Sequence, residues 1–227
     1  MSKYKLLFSN KDFIAINKLE AHSFHSENGE GLVSIVKEEF SDIYPIHRLD
    51  KLTTGLLLFA RSKEIAQDLS KKFENREIQK IYIALSNKKP KKKQGLIKGD
   101  MDKSRDGTYK LSLTHKNPAL TQFFSFALSS IEEGLRLFVL KPSTGKTHQL
   151  RVALKSLGSA IIGDARYKGL KNEQMHLHAY QLAFELKGEK YSFKAELPNS
   201  SLYNKLKESE VFFEKDFFSL SWPKIKN

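Results

Sequence analysis

Short apolar runs alternate with amphipathic segments along this chain, and the alternation predicts a mixture of strands and helices. Phe13 to Asn17 and Gly55 to Ala60 are apolar runs of strand length, and the second is compact enough for a central strand. Gly31 to Phe40 instead carries its apolar residues at spacings that suit a helix. The first sixty residues therefore already combine both kinds of element.

A second helix is predicted from Ser62 to about Asn75. Ile65, Leu69 and Phe73 recur every four residues on one face, and serine is a residue type that caps helix N-termini. The next strand is Lys80 to Leu85. Asn87 to Gln94 follows with five lysines and a proline, which is the pattern of a solvated loop that is able to touch phosphate.

The second half of the chain predicts a hairpin, a helix and two strands. Leu120 to Leu128 and Gly134 to Lys141 are rich in strand-forming residues and are separated by a turn-like segment. A helix is expected to begin at Thr147 as its cap and to stop at Gly158. Two further strands close the fold, near His176 to Phe184 and Lys190 to Leu197.

These elements predict an α+β fold with a mixed, largely antiparallel sheet and flanking helices, because several strand pairs are joined by short turns while helices separate others. The length suits a single domain over residues 1–227. Residues 211–227 form an aromatic and basic C-terminal extension whose role the sequence does not indicate.

The charge of the chain points to a polyanionic partner. Its formal net charge is +13, which exceeds what solubility requires and favours nucleic acid. The absence of cysteine excludes disulfides, thiolate catalysis and cysteine-held metals. No apolar run of membrane-spanning length and no signal peptide is found, so we expect a cytoplasmic protein that does not bind membranes.

Two patterns that resemble ligand sites carry little weight. Ser143 to Thr147 resembles the end of a phosphate-binding loop, but Leu140 stands where the first glycine of that loop is required. Metal binding is disfavoured because no cysteine or acidic cluster accompanies the paired histidines, His22, His25, His176 and His178. We therefore expect no metal and no nucleotide hydrolysis.

The stretch from His47 to Ala60 is the most informative part of the sequence. It places Asp50 between Arg48 and Lys51 at the entrance of an apolar strand, and these cations favour the charged form of the carboxylate. A carboxylate held in a dry pocket beside a matched cation is a nucleophile. From these residues alone, a loop carboxylate that caps a turn remains the alternative.

The stretch resembles the His-Arg-Leu-Asp signature of the RluA-type family of pseudouridine synthases. Lys80 to Ala84 resembles the second motif of that family, and Gly145 to Val152 resembles the third. Gly163-Asp164, Tyr167 and Leu177 to Ala179 follow in the expected order, so the resemblance runs from about Leu6 to Pro198. It implies the pseudouridine synthase fold with a central catalytic cleft, and an enzyme that isomerises uridine in ribosomal or transfer RNA.

The resemblance also implies the roles of individual residues. Asp50 is implied to be the nucleophile, and Arg151 to form an ion pair that orients it. Tyr82 is implied to stack on the target uracil, and Arg48 to help displace that base from the RNA. The same motifs supply the other expected substrate contacts, His47, Lys80, His148 and Leu150. No cofactor is implied, and we expect a monomer.

Each of these roles has an ordinary structural alternative. The alternative for Arg151 is a surface arginine on an amphipathic helix. The alternative for Tyr82 is a core tyrosine whose hydroxyl group is hydrogen-bonded. The main rival function is an RNA-binding or RNA-remodelling protein on the same fold whose isomerase site does not operate. The net charge fits this rival and the enzyme equally well.

The sequence departs from the family pattern in a few places. Asn17 to Ala21 replaces the usual Lys-Pro-small-Gly turn, which changes the stiffness of that loop. Thr54 replaces a serine, and Lys146 replaces an arginine. The catalytic pattern begins within the first ten residues, so we expect no preceding RNA-binding domain of the S4 type.

Overall fold

A computed structural model describes residues 3–19, 23–24, 31–212 and 215–225. Its strands are β1 Tyr4–Ser9, β2 Phe13–Lys18, β3 Tyr44–Pro45, β4 Thr54–Ala60, β5 Gln79–Ser86, β6 Gln94–Gly99, β7 Met101–Lys103, β8 Tyr109–Leu111, β9 Ala119–Ala127, β10 Arg136–Pro142, β11 Leu177–Leu186 and β12 Glu189–Lys194. Its α-helices are α1 Leu32–Glu39, α2 Lys63–Glu74, α3 Gln149–Ser156 and α4 Ser201–Lys207. These elements confirm the predicted α+β class with its mixed sheet.

The chain groups into two compact units. Unit 1 comprises Met1–Lys80 and His178–Pro198, and unit 2 comprises Ile81–Leu177 and Asn199–Asn227. The expectation of a single domain stays a prediction. His22 and His25, two of the histidines considered above, lie outside the described residues.

Unit 1 is built around β4, whose seven residues are all buried. β4 pairs with β2 and β3 in antiparallel orientation and with β11 in parallel orientation. β1 pairs with β2, and β12 pairs with β11, both in antiparallel orientation. The continuous apolar runs of β2 and β4 fit strands that are covered on both faces. α2 begins as predicted, because the Ser62 hydroxyl accepts a hydrogen bond from the Ile65 N–H.

Unit 2 contains four antiparallel strands in the order β5, β10, β9 and β6, and a separate hairpin of β7 and β8. The pairing of β9 with β10 confirms the predicted hairpin. A buried core lies between these strands and α3, and it includes Phe138, Leu140, Leu150 and Leu154. This packing fixes the helix that carries the third sequence motif.

The start of α3 differs from the prediction. His148, not Thr147, occupies the N-cap position, with a left-handed backbone at φ 58°, and it makes no side-chain cap. The predicted stop is confirmed, since Gly158 has φ +75° just beyond the helix end. Thr147 does not cap because the Gln149 side chain organises this loop instead, accepting hydrogen bonds from the Thr144 hydroxyl and the Lys146 N–H.

The C-terminal segment packs on unit 2. The Trp222 ring lies 5.1 Å from the Phe124 ring of β9, and the Lys141 ammonium of β10 lies 5.6 Å from the Trp222 ring centre. Trp222 Nε1 donates to the Phe217 carbonyl. The described part of this extension therefore has a packing role on β9 and β10.

Candidate active site

Asp50 lies in unit 1, in the loop that joins β3 to β4. The loop is closed by a turn in which the Thr53 N–H donates to the Asp50 carbonyl at 3.0 Å. Leu49 is buried and anchors the loop, Arg48 is exposed, and Asp50 itself is half-buried. The backbone of Asp50 is therefore fixed while its side chain keeps partial access to solvent.

Lys18 anchors this loop by hydrogen bonds to its backbone. Its side chain is 1% exposed, and its Nζ donates to the carbonyl oxygens of Thr53 at 2.6 Å, Lys51 at 2.7 Å and Asp50 at 3.3 Å. These three bonds match the three donors of an ammonium group. Burial lowers the pKa of Lys18 to about 7, and the negative charge of Asp50 opposes that shift. Lys18 thus holds the loop of the candidate nucleophile with an amino group that titrates near neutral pH.

His47 fixes the other end of the loop. Its Nε2 accepts a hydrogen bond from the Leu58 N–H at 3.1 Å, and its ring lies 4.6 Å from the Phe73 ring of α2. β3 ends at Pro45. Beyond that residue, the His47 imidazole accepts the hydrogen bond from the Leu58 N–H of β4. Burial and the nearby positive charge of Lys80 lower the pKa of His47 to about 3, which makes the ring neutral at physiological pH.

Lys80 contacts the same aromatic ring. Its Nζ is 5.2 Å from the centre of the Phe73 ring, and burial lowers its pKa. His47 and Lys80 therefore have defined structural contacts in unit 1. Their expected contacts with substrate stay predictions.

Thr54 and Gly55 fix the start of β4. The Thr54 hydroxyl shares a buried hydrogen bond of 2.8 Å with His178 Nδ1 of β11, so threonine keeps the hydroxyl of the serine it replaces. Gly55 has φ +109°, and a Cβ atom there would lie 2.2 Å from the Ala179 carbonyl oxygen. Only glycine fits this close approach of β4 to β11.

Arg151 lies in unit 2, within the first turn of α3, and is held by Asp164. Its Nε donates to Oδ2 at 2.8 Å and its Nη2 donates to Oδ1 at 2.7 Å, and both side chains are buried. The guanidinium also lies 5.0 Å from the centre of the Tyr167 ring. Asp164 and Tyr167 belong to the family pattern in the sequence, but their contacts with Arg151 are visible only in the structure.

The predicted ion pair of Arg151 with Asp50 stays a prediction. A guanidinium has five N–H donors, so the two bonds to Asp164 leave that prediction open. The bidentate pair fixes the plane of the guanidinium, which a lysine ammonium would not do. Arg151 is therefore a rigid, buried cation and not a surface arginine.

The remaining predicted residues of unit 2 surround α3. Tyr82 is half-buried in β5 and packs against the same core as Leu150. Leu150 is itself buried in that core, which is its observed role. His148 Nδ1 lies 3.0 Å from the Tyr167 hydroxyl. The expected substrate contacts of His148 and Leu150, and the stacking role of Tyr82, stay predictions.

Comparison with known proteins assigns the family. The sequence profile described as RNA pseudouridylate synthase matches residues 12–156. The chain is 34% identical, over 183 residues, to the dual-specificity RNA pseudouridine synthase RluA of Pasteurella multocida, covering 76% of this chain and 82% of the relative. This chain belongs to the RluA-type family of RNA pseudouridine synthases. It is therefore an isomerase.

Further relatives agree with this assignment. An uncharacterized RNA pseudouridine synthase of Haemophilus influenzae is 50% identical over 186 residues, which cover 80% of this chain and 82% of the relative. The ribosomal large subunit pseudouridine synthase C of Rickettsia bellii is 31% identical over 206 residues, or 86% of this chain and 68% of the relative.

The solved structure of human RNA pseudouridylate synthase domain containing 4 has the same fold. It aligns with a TM-score of 0.72 at 23% identity, and the alignment covers 89% of this chain and 91% of the human chain.

Among the helices in the described part of the chain, none has the length and apolar character that crossing a bilayer requires.

Proposed function

We propose that this pseudouridine synthase isomerises uridines in ribosomal or transfer RNA, and that Asp50 is its nucleophile. The observation that carries the proposal is the support of Asp50: its loop is anchored through three carbonyl groups by buried Lys18, while Asp50 as a residue stays partly exposed. A nucleophile needs this combination of a fixed position and access to substrate.

The reaction exchanges one bond of uracil for another without redox chemistry. The bond between ribose C1′ and uracil N1 breaks, the base turns, and C5 joins C1′. The proton of C5 is released, and N1 gains a proton. Asp50 either adds to C6 of the uracil or acts at the ribose to assist departure of the base. Neither route requires a cofactor.

The target base must leave the RNA stack before a protein carboxylate reaches it. We propose that Arg48, which is exposed in the Asp50 loop, takes part in displacing it. We assign the stacking of the extruded uracil to Tyr82, whose ring is half-buried in β5. We assign the orientation of Asp50 to Arg151, whose own orientation is fixed by Asp164.

The charge of the chain and the names of its relatives support the proposed substrate class. Two of the relatives are described as ribosomal large subunit and dual-specificity RNA pseudouridine synthases. The net charge of +13 favours a long polyanion, to which lysines of the 87–94 loop would add affinity that falls with salt. We propose the cytoplasm as the site of this activity, because ribosomal and transfer RNA are found there, and a monomer as the active state.

The test is to map pseudouridines in ribosomal and transfer RNA from a strain that lacks the protein. We expect at least one site to be lost, to return with the wild-type protein, and to stay lost with Asp50→Asn. An unchanged map in the deletion strain would contradict the proposed substrates. If the purified protein bound these RNAs without ever forming pseudouridine, the rival of a non-catalytic RNA-binding protein would be favoured.

A further inference from the structure

Unit 2 contains a cavity of about 340 Å³ whose lining includes none of the residues that are assigned a role in the reaction. It lies between β8, the C-terminal half of α3 and the turn that ends at Lys168. Its apolar lining includes Leu111 and Val152, together with the aromatic residues Tyr109 and Tyr167. A volume near the lower end of the range for ligand pockets suits one nucleotide rather than a folded RNA element.

The rim of this cavity is strongly basic. Four cationic side chains line it, Lys110, Lys155, Arg166 and Lys168, and all four residues are exposed. No carboxylate belongs to the lining. Among the described residues, the three lysines have no ion-pair partner. An apolar wall beside uncompensated cations is the combination that binds a base and its phosphates.

The cavity adjoins the support of Arg151. Tyr167, which lines the cavity, lies with its ring 5.0 Å from the Arg151 guanidinium, and its hydroxyl accepts a hydrogen bond from the Tyr109 N–H at 3.0 Å. Lys155 follows Arg151 by four residues on α3, about 6 Å along the helix axis. An RNA that reaches Arg151 is therefore within reach of this cavity.

We infer that the cavity binds one unstacked nucleotide of the substrate RNA, close in sequence to the target uridine. Its base lies on the wall formed by Tyr109 and Leu111, and its phosphates bind Lys110, Lys155 and Arg166. The inference rests on the proposed function and adds a second nucleotide site to it. Such a site holds the RNA beside the target, and it distinguishes single-stranded from stacked RNA.

Substitutions at Ser156 test whether the cavity volume is used. Ser156 is exposed at the cavity wall, and its hydroxyl donates only to the Ala153 carbonyl of its own helix. Ser156→Phe fills the volume without changing charge, and Ser156→Ala is the matched control. The probe is a fluorescein-labelled, single-stranded RNA dodecamer of mixed sequence, and its affinity is measured by anisotropy. We expect Ser156→Phe to weaken binding at least about fivefold and Ser156→Ala to leave it unchanged.

A lysine pair tests the basic rim. Lys155→Ala is expected to weaken binding and to reduce the slope of log affinity against log salt by about 0.7, the value for one phosphate contact in single strands. Lys205→Ala, at an exposed lysine of α4, is the control and should change neither. Equal effects of Lys155→Ala and Lys205→Ala would overturn the inference, since the rim would then act only as general surface charge.

Crosslinking to the wild-type protein locates the bound RNA and does not depend on the folding of any variant. The wild-type protein is irradiated with the same dodecamer containing 4-thiouridine, and crosslinked peptides are identified by mass spectrometry. We expect an adduct within residues 108–111. Adducts elsewhere and none in this segment would overturn the inference. These binding measurements need no turnover, so a failure of the proposed isomerisation is read separately, from pseudouridine formation.

Discussion

Lys18 holds the backbone of Asp50: its Nζ donates a hydrogen bond of 3.3 Å to the Asp50 carbonyl oxygen from a buried position. The same ammonium binds the carbonyl groups of Lys51 and Thr53. The position of the candidate nucleophile therefore depends on a residue 32 positions earlier in the chain.

This relationship predicts a pH dependence of stability. The pKa of Lys18 falls from its ordinary value of 10.5 to about 7 on folding. Between these values the unfolded chain binds more protons than the folded one, so this group makes the free energy of unfolding rise with pH, by at most about 1.4 kcal/mol per pH unit. Urea denaturation of the wild type and Lys18→Met between pH 6.5 and 9.5 measures the effect.

The difference in the free energy of unfolding between wild type and Lys18→Met should grow in favour of the wild type as pH rises. Lys205→Met removes an exposed lysine, and its free energy of unfolding should change with pH in the same way as that of the wild type. Parallel curves for Lys18→Met as well would show that the Lys18 amine keeps its proton throughout this range.

The pair of Arg151 with Asp164 predicts strong coupling. Arg151→Met leaves the buried Asp164 carboxylate without its cation and should lower the free energy of unfolding by about 3–5 kcal/mol. The double variant Arg151→Met, Asp164→Leu removes both charges and should recover part of that loss. The measurement is a double-mutant cycle by urea denaturation. Additive losses in the double variant would contradict a direct pair.

Gly55 predicts a steric effect in unit 1. In Gly55→Ala the new methyl group would meet the Ala179 carbonyl oxygen, and the positive φ would strain the backbone, so we expect a loss of about 3 kcal/mol. Gly145→Ala is the control, because among the described residues, apart from its two chain neighbours, none has an atom within 4 Å of a Cβ at that position. Its melting temperature should stay near that of the wild type. A Gly55→Ala protein as stable as Gly145→Ala would refute the close approach of β4 to β11.

The proposed stacking role of Tyr82 predicts different outcomes for two substitutions. Tyr82→Phe keeps the aromatic ring, so both the Kd for RNA and the rate of turnover should stay within about twofold of the wild type. Tyr82→Leu loses the stacking surface and should weaken RNA binding and slow turnover at least about fivefold. RNA binding by anisotropy and pseudouridine formation under single-turnover conditions provide the two readouts. A Tyr82→Leu protein that matched Tyr82→Phe in both readouts would contradict the stacking role.

Strands that are marked by a compact apolar run were predicted because that signal is local. β1, β3, β6, β7 and β8 were not predicted, since β3, β7 and β8 are only two or three residues long, and β1 and β6 mix lysine, glutamine or glycine with their apolar residues. The apolar runs at Phe13 to Asn17 and Gly55 to Ala60 became β2 and β4 with end shifts of one residue. The cap of α3 was predicted at the wrong residue, since the left-handed His148 is held by a contact with Tyr167, which lies 19 residues away in the chain.

The supports of the candidate site carry no local signal. Lys18 binds backbone carbonyl groups, which have the same chemistry at every position of the sequence. Asp164 is an ordinary loop aspartate until the fold brings it to Arg151. Asp50, Tyr82, Arg151 and Asp164 could be named from the resemblance, whereas the supporting roles of Lys18 and Asp164 required the structure.

The release of tritium from RNA labelled at C5 of uridine, assayed with Asp50→Asn, tests the central claim most directly. The amide keeps the size of the carboxylate and loses its nucleophilicity, so we predict RNA binding at the wild-type Kd and no release above background. Lys205→Ala serves as the matched active control. Robust release by the purified Asp50→Asn protein would show that another group performs the chemistry.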